Sequence, residues 1–144
     1  MAPDALLEQR PMAENFHFEL VAPERLLFSG DVEAVIVPSV DGDLTVLAHH
    51  APLMAVLKPG LITVESAGKA QAIFVRGGFA DIRPDGLTIL AEQAVPVEEL
   101  TDDLIDVVIN DAERAVDAAT DDDQRRVALE RLGQLKEVRG LLQS

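Results

Sequence analysis

The chain has 144 residues, no cysteine and a formal net charge of −14. That length supports one medium domain or two small ones, with roughly 70% of the unfolded surface buried on folding. The missing cysteines exclude disulfides, thiolate metal sites and a cysteine nucleophile, and the acid excess excludes the basic footprint that nucleic acid or anionic lipid requires.

Residues 1–15 show no hydrophobic periodicity, and Pro3 and Pro11 break any helix, so a disordered N-terminal arm is expected there. The arm carries acids and lacks the apolar run of a signal peptide. No later stretch approaches the ~18 apolar residues of a membrane span, so a soluble chain without direct membrane insertion is expected. From 16 to 96 the chain is a series of short strand-like runs: FHFELVA, DVEAVIVPS, DLTVLA, LMAVL, LITVES, AQAIFVR, FADIRP and LTILAE. Gly and Pro punctuate them, in VAPERLLFSG, VDGD, HAPL, KPG, AGK, RGG and RPDG, which predicts an antiparallel sandwich or barrel. Phe16, Phe18 and Leu20 alternate with His17, Glu19 and Val21, as on a strand with one buried face. The continuous apolar run AVIV predicts a strand covered on both sides.

Over 97–144 the period changes to that of a helix. Leu100, Leu104, Val107, Val108, Ala112, Ala115 and Ala119 form one predicted stripe, and Ala128, Leu132, Leu135, Val138 and Leu142 another. Thr101 or an acid just before it is placed to cap the first helix, and the TDDD run at 120–123 ends it and caps the second. Residues 97–123 hold eleven acids and one base, whereas 124–144 hold two acids and five bases: Arg125, Arg126, Arg131, Lys136 and Arg139. An acidic helix joined to a basic one by a short loop predicts an antiparallel hairpin. Exposed ion pairs contribute only ~0.2–1 kcal/mol each, so a separable hairpin is expected.

Candidate chemistry is thin. His49 and His50 are adjacent and point to opposite faces if on a strand, and His17 is the third histidine; no ligand spacing repeats a metal signature. Ser29, Ser39, Ser66 and Ser144 sit in no nucleophile elbow. Asp41 and Asp43 flank Gly42 as turn residues do. RGGF at 76–79 joins two strands and reads as a tight hairpin turn, with no helix N-terminus to hold an anion. A compact β domain with an exposed acidic turn and an amphipathic hairpin indicates an interaction module. A small β-barrel metalloenzyme using His17, His49 and His50 and a free-standing interaction adaptor are the alternatives.

The ordered motifs LFSG, DGDL, HAPL, KPG and GGF, followed by an Ala-rich hairpin, resemble the epsilon subunit of bacterial F-type ATP synthases, equivalent to the mitochondrial delta subunit. The resemblance spans about residues 16–142. It implies an α+β fold, with an N-terminal antiparallel ten-stranded β-sandwich followed by a two-helix antiparallel hairpin. It also implies a non-catalytic rotor subunit that grips the gamma subunit and the polar loops of the c-ring, peripheral on the cytoplasmic face of the bacterial inner membrane. Asp41, Gly42, Asp43 and Leu44 match the family's acidic turn that meets the c-ring loops, where rim charges set orientation. His50, Ala51 and Pro52 match its HAP turn, a structural or interface element. His49 and Thr45 stand where many members carry Gly, so both turn positions have to accept a side chain.

In some bacterial members the hairpin extends into the catalytic head and blocks rotation in the hydrolysis direction. The resemblance therefore implies a contact with the catalytic beta and alpha subunits, with Arg125, Arg126, Arg131, Lys136 and Arg139 as the candidate regulatory set. Some members also bind ATP through Ile/Leu-Asp-x-x-Arg-Ala at the start of the first helix. The aligned stretch is LTDDLI, where Thr101 replaces the acid and Leu104 and Ile105 replace Arg and Ala. Without that arginine a phosphate meets charge of the wrong sign, so no cofactor and weak or absent ATP binding are expected.

Overall fold

A computed structural model describes residues 14–143, so the expected arm lies, up to residue 13, outside the described residues. Ten strands follow in order: β1 (Phe16–Ala22), β2 (Arg25–Val32), β3 (Ala34–Ser39), β4 (Gly42–Val46), β5 (Leu53–Leu57), β6 (Gly60–Ser66), β7 (Lys69–Val75), β8 (Gly78–Arg83), β9 (Gly86–Ala91) and β10 (Ala94–Pro96). A 3-10 turn at Val97–Glu99 leads to helices α1 (Asp102–Ala118) and α2 (Asp122–Gln143). The α+β class, the ten-stranded sandwich and the C-terminal pair of helices are as the sequence led us to expect.

The strands form two layers. One runs β10-β7-β6-β3-β4 and the other β5-β8-β9-β1-β2, and they are continuous through the single Ser39–Leu57 pairing between β3 and β5. Alternating residues of both layers face each other to make the main core, with Phe18, Leu20, Ile82, Leu87 and Ile89 from one side and Val35, Val37, Ile62, Ile73 and Val75 from the other. As AVIV indicated, β3 is covered on both faces; only Ile36 is partly open.

Several local features differ from expectation. The stretch read as punctuation before Asp31 contains β2, an edge strand paired only with β1 and offset by a bulge between Leu20 and Val21. Its largely exposed residues, with Ser29 and Gly30 in the middle, give none of the alternation that marks a half-buried strand. The antiparallel pattern has one exception, because β1 lies parallel to β9, a neighbour far along the chain with no hairpin to reverse it. RGGF is not a hairpin turn. β7 pairs with β6 and β10, β8 pairs with β5 and β9, and Arg76-Gly77 carries the chain from one layer to the other. Gly78 is needed at this crossing: its φ is +140°, and a Cβ there would lie 2.1 Å from the carbonyl oxygen of Leu90.

The helices pack on the outer face of the β10-β7-β6-β3-β4 layer. A second apolar cluster joins Phe74 of β7 to Ile105, Val108, Ile109 and Ala112 of α1 and Leu135 and Val138 of α2. The α1 face is therefore turned from the expected stripe: Val107 and Ala115 are exposed, while Ile105 and Ile109 point inward. Acids at 102, 103 and 106 surround both candidate stripes, and only the presence of Phe74 beneath the helix selects one. Leu135 and Val138 of the second stripe are buried as read. Both caps form, with Thr101 Oγ1 accepting from the Leu104 N–H at 3.1 Å and Asp121 Oδ1 accepting from the Gln124 N–H at 2.7 Å. Burial of side chains such as Phe74, Ile105 and Leu135, at about 1.5–3 kcal/mol each, outweighs the charge pairs and ties the hairpin to the sheet more firmly than ion pairs do.

Candidate interaction surfaces

The acidic turn forms because β3 and β4 pair up to Ser39 opposite Gly42, leaving Val40 and Asp41 to reverse the chain. Gly42 has φ +122°, and the buried Ser39 hydroxyl accepts from the Asp41 N–H at 3.1 Å. Asp41, Gly42 and Asp43 are exposed and Leu44 is half-buried. His50, Ala51 and Pro52 lie beyond the far end of β4, just before β5. Gly42 and Val46 are the ends of that strand, so Gly42 of the acidic turn lies roughly 14 Å along it from the end that leads to the HAP turn. The structure does not bring them together.

His50 Nδ1 is 2.9 Å from the Ala51 carbonyl oxygen, which fixes the ring within its own turn. His49 takes the left-handed conformation, φ 62°, in which glycine is at ease, donates its N–H to the Pro84 carbonyl and contacts Glu14. Thr45 sits within β4, paired with Ile36, and makes no demand for glycine. His17 lies between Glu19 and Asp31, at 3.4 and 3.6 Å. Among the described residues no group of three or more His, Asp or Glu side chains is set to hold a metal ion.

The basic residues of α2 are divided among internal contacts. Arg131 Nη2 donates to Glu92 Oε2 at 2.6 Å and to the Arg76 carbonyl at 2.7 Å, through space kept open by Gly77, where a Cβ would lie 2.5 Å from that nitrogen. Arg76 in turn faces Asp111 of α1 at 3.7 Å. Arg139 pairs with Asp106 of α1 at 2.5 Å, Arg125 donates to the Ala119 carbonyl at the end of α1, and Arg126 pairs with Glu130 one turn on. Lys136 is exposed. Between the helices and the sheet, Arg25, Arg76 and Arg131 share a cleft with Glu24, Glu92 and Asp111, so its charges are balanced within the chain.

A further surface, absent from the sequence expectations, is an open row of apolar side chains. On the outer face of the β5-β8-β9-β1-β2 layer, Val56 stands opposite Phe79, Phe79 opposite Leu90, Leu90 opposite Val21, and Val21 opposite Leu26. Val40, whose N–H bonds the Val56 carbonyl, extends this row toward the acidic turn. The two outer faces differ sharply: Phe74 beneath the helices is 0% exposed, whereas Phe79 on the bare face is 52% exposed. The signal was present in LMAVL and LTILA, whose apolar residues occupy both parities and so require a cover on both faces of the strand.

Residues 15–97 match the family described as ATP synthase, Delta/Epsilon chain, beta-sandwich domain. An ATP synthase epsilon chain of Parvibaculum lavamentivorans is 51% identical over 129 residues, covering 89% of this chain and 98% of that one. One of Rhizobium etli is 47% identical over 133 residues, covering 92% and 98%. Among solved structures, a chain of the Euglena gracilis mitochondrial ATP synthase OSCP/F1/c-ring assembly aligns with a TM-score of 0.65 at 25% identity, over 85% of this chain and 80% of that one. A chain of the Tetrahymena thermophila mitochondrial ATP synthase central stalk and c-ring shares the fold, with a TM-score of 0.54 at 13% identity over 62% and 72%. No helix among the described residues is long and apolar enough to cross a membrane. With a sandwich matched from end to end and relatives about half identical along nearly their whole length, the chain belongs to the delta/epsilon family of ATP synthase subunits, on the epsilon side.

Proposed function

We propose that the chain is a non-catalytic element of the rotor, docked through its bare sheet face on the gamma subunit and through the Asp41–Leu44 turn on the polar loops of the c-ring, at the cytoplasmic face of the inner membrane. The observation that carries this reading is the row of Val56, Phe79, Leu90, Val21 and Leu26, left open on one layer while the helices cover the other. The row reaches Val40, where the Ser39–Leu57 pairing and the Val40 N–H bond to the Val56 carbonyl join the two layers, and Asp41 is the next residue, so the two contacts adjoin and a torque passed to one is carried across that junction to the other. His50, Ala51 and Pro52 fall at the opposite end and serve to hold the β4–β5 connection. The test is binding of the full chain to its cognate gamma subunit. Phe79→Asp is expected to weaken binding by about 30-fold or more, as loss of a central anchor does, with the thermal midpoint unchanged because the side chain is half exposed. Undiminished binding by that variant would rule the face out.

ATP is not a resident ligand on this reading. Leu104 is half-buried and Ile105 buried where the ATP-binding motif carries Arg and Ala, and Arg131 is committed to Glu92. A titration with ATP into the millimolar range should show no saturation. For Arg131 and Arg139 to take part in slowing ATP hydrolysis through contact with the catalytic beta and alpha subunits, they would have to exchange their present partners. Hydrolysis by the cognate head, titrated with the full chain and with the Arg139→Gln variant, reads whether they do.

A further inference from the structure

Resting on the reading that the bare face docks on the stalk, we infer that its partner there is a single amphipathic helix lying across the strands, about 13 residues long, with an apolar stripe flanked on one side by Lys or Arg. The shape of the surface leads to this. The five apolar positions form a line perpendicular to the strands, and four inter-strand steps of ~4.8 Å make it roughly 19 Å long. A helix rising 1.5 Å per residue spans that in about 13 residues. The next line on the same face is Met54, Asp81, Thr88, Glu19 and Ser29, so apart from Met54 at its β5 end the apolar strip is one residue wide. A second sheet packed on the face needs an apolar area broad in both directions, and a strand added at an edge leaves the face bare; a helix stripe needs a long narrow strip.

Charge fixes which side of the stripe is basic. The line beside the apolar row carries Glu19 and Asp81, and the line beyond it Arg83, Gly86, His17 and Asp31. With Asp85 at the strand end, four carboxylates there face one arginine and one histidine. Asp81 meets Arg83 through one oxygen only, at 2.9 Å, which leaves the other available to a partner's cation. A depression of about 430 Å³ lined by Met54, Phe79, Asp81, Thr88 and Leu90 has the form that a Lys or Arg fills, the stem on the apolar side chains and the head at the carboxylate.

The chain has no cysteine, so single reactive positions can be introduced cleanly. Val56→Cys and Leu26→Cys, at the two ends of the row, are labelled with a benzophenone and irradiated in complex with the cognate gamma subunit, and the linked residues are mapped by mass spectrometry. Amide exchange of gamma with the wild-type chain serves as the second reading if labelling weakens the complex. The expected result is one protected gamma segment, with linked residues repeating every three to four positions and the two ends linked about 13 residues apart. Links from the two ends in unrelated segments, or at two-residue spacing, overturn the helix and leave the docking face standing. Protection of gamma without any link from either end removes the docking face as well. Glu19→Gln and Asp81→Asn should each weaken low-salt binding by roughly 2- to 5-fold and flatten its salt dependence; unchanged salt dependence overturns the basic flank.

Discussion

Replacing Gly78 by alanine probes the closest approach in the sandwich. Gly78 opens β8 opposite Ala91 of β9, with φ +140°, and an added methyl would lie 2.1 Å from the Leu90 carbonyl oxygen and 2.9 Å from the Ala91 Cα. Those are backbone atoms held by the ladder, so no side chain can swing aside. Backbone strain of about 1–3 kcal/mol combines with overpacking of about 1–3 kcal/mol, for an expected loss near 4 kcal/mol. Gly42→Ala separates the two contributions, since Gly42 has φ +122° and nothing within 4 Å of the added methyl. It should lose only the strain. For a chain of this size each kcal/mol lowers the midpoint by about 3 °C, so midpoints near 12 °C and 3–9 °C below wild type are expected. Far-UV circular dichroism with urea and heat is the assay, because the chain has neither Tyr nor Trp. Equal losses for the two variants, within about 0.5 kcal/mol, would mean that β8 and β9 are not pressed together as described.

Three further outcomes are expected. Arg131→Met removes the bonds to Glu92 and to the Arg76 carbonyl and should cost about 1–2 kcal/mol of hairpin docking, read as several-fold faster amide exchange at Ile105, Val108 and Ile109 with β-sandwich amides unaffected. Thr101→Ala removes the N-cap of α1 and should cost about 1 kcal/mol in urea unfolding, restored by Thr101→Ser. His49→Val places a β-branched residue at φ 62° and should destabilise by about 1–2 kcal/mol, whereas His49→Gly should stay within about 0.5 kcal/mol of wild type.

Where one physical signal dominated, the sequence could be read. The alternation Phe16-Phe18-Leu20 located β1, the two-sided run AVIV located a covered strand, and Thr101 and the TDDD run located the caps. Reading failed where tertiary neighbours decide. The α1 stripe is ambiguous in sequence because two faces of the helix are apolar and Phe74 chooses between them. RGGF reads as a hairpin from sequence because glycine density marks close approach and tight turning alike, and only the partners of β7 and β8 distinguish a crossing from a reversal. Similarly, the basic residues of α2 read in sequence as one available set. Distances show Arg131 spent on the sheet and Arg139 on α1, an allocation that depends on Glu92 and Asp106 arriving from elsewhere in the chain. The apolar row is hidden in sequence because a strand exposed on one face and a strand buried on both share one composition, and only the fold shows which face lacks a cover.

The parallel pairing of β1 with β9 has a consequence during synthesis. His17 meets Gly86 only after about 70 further residues have been made, which takes roughly 4–14 s at ~5–20 residues per second. Until then β1 and β2 exist as a two-stranded ribbon, marginal in water, with Phe18 and Leu20 uncovered. Completion of the layer is thus a late event with high loop-closure cost, and the apolar inner face of the ribbon stays uncovered until it occurs.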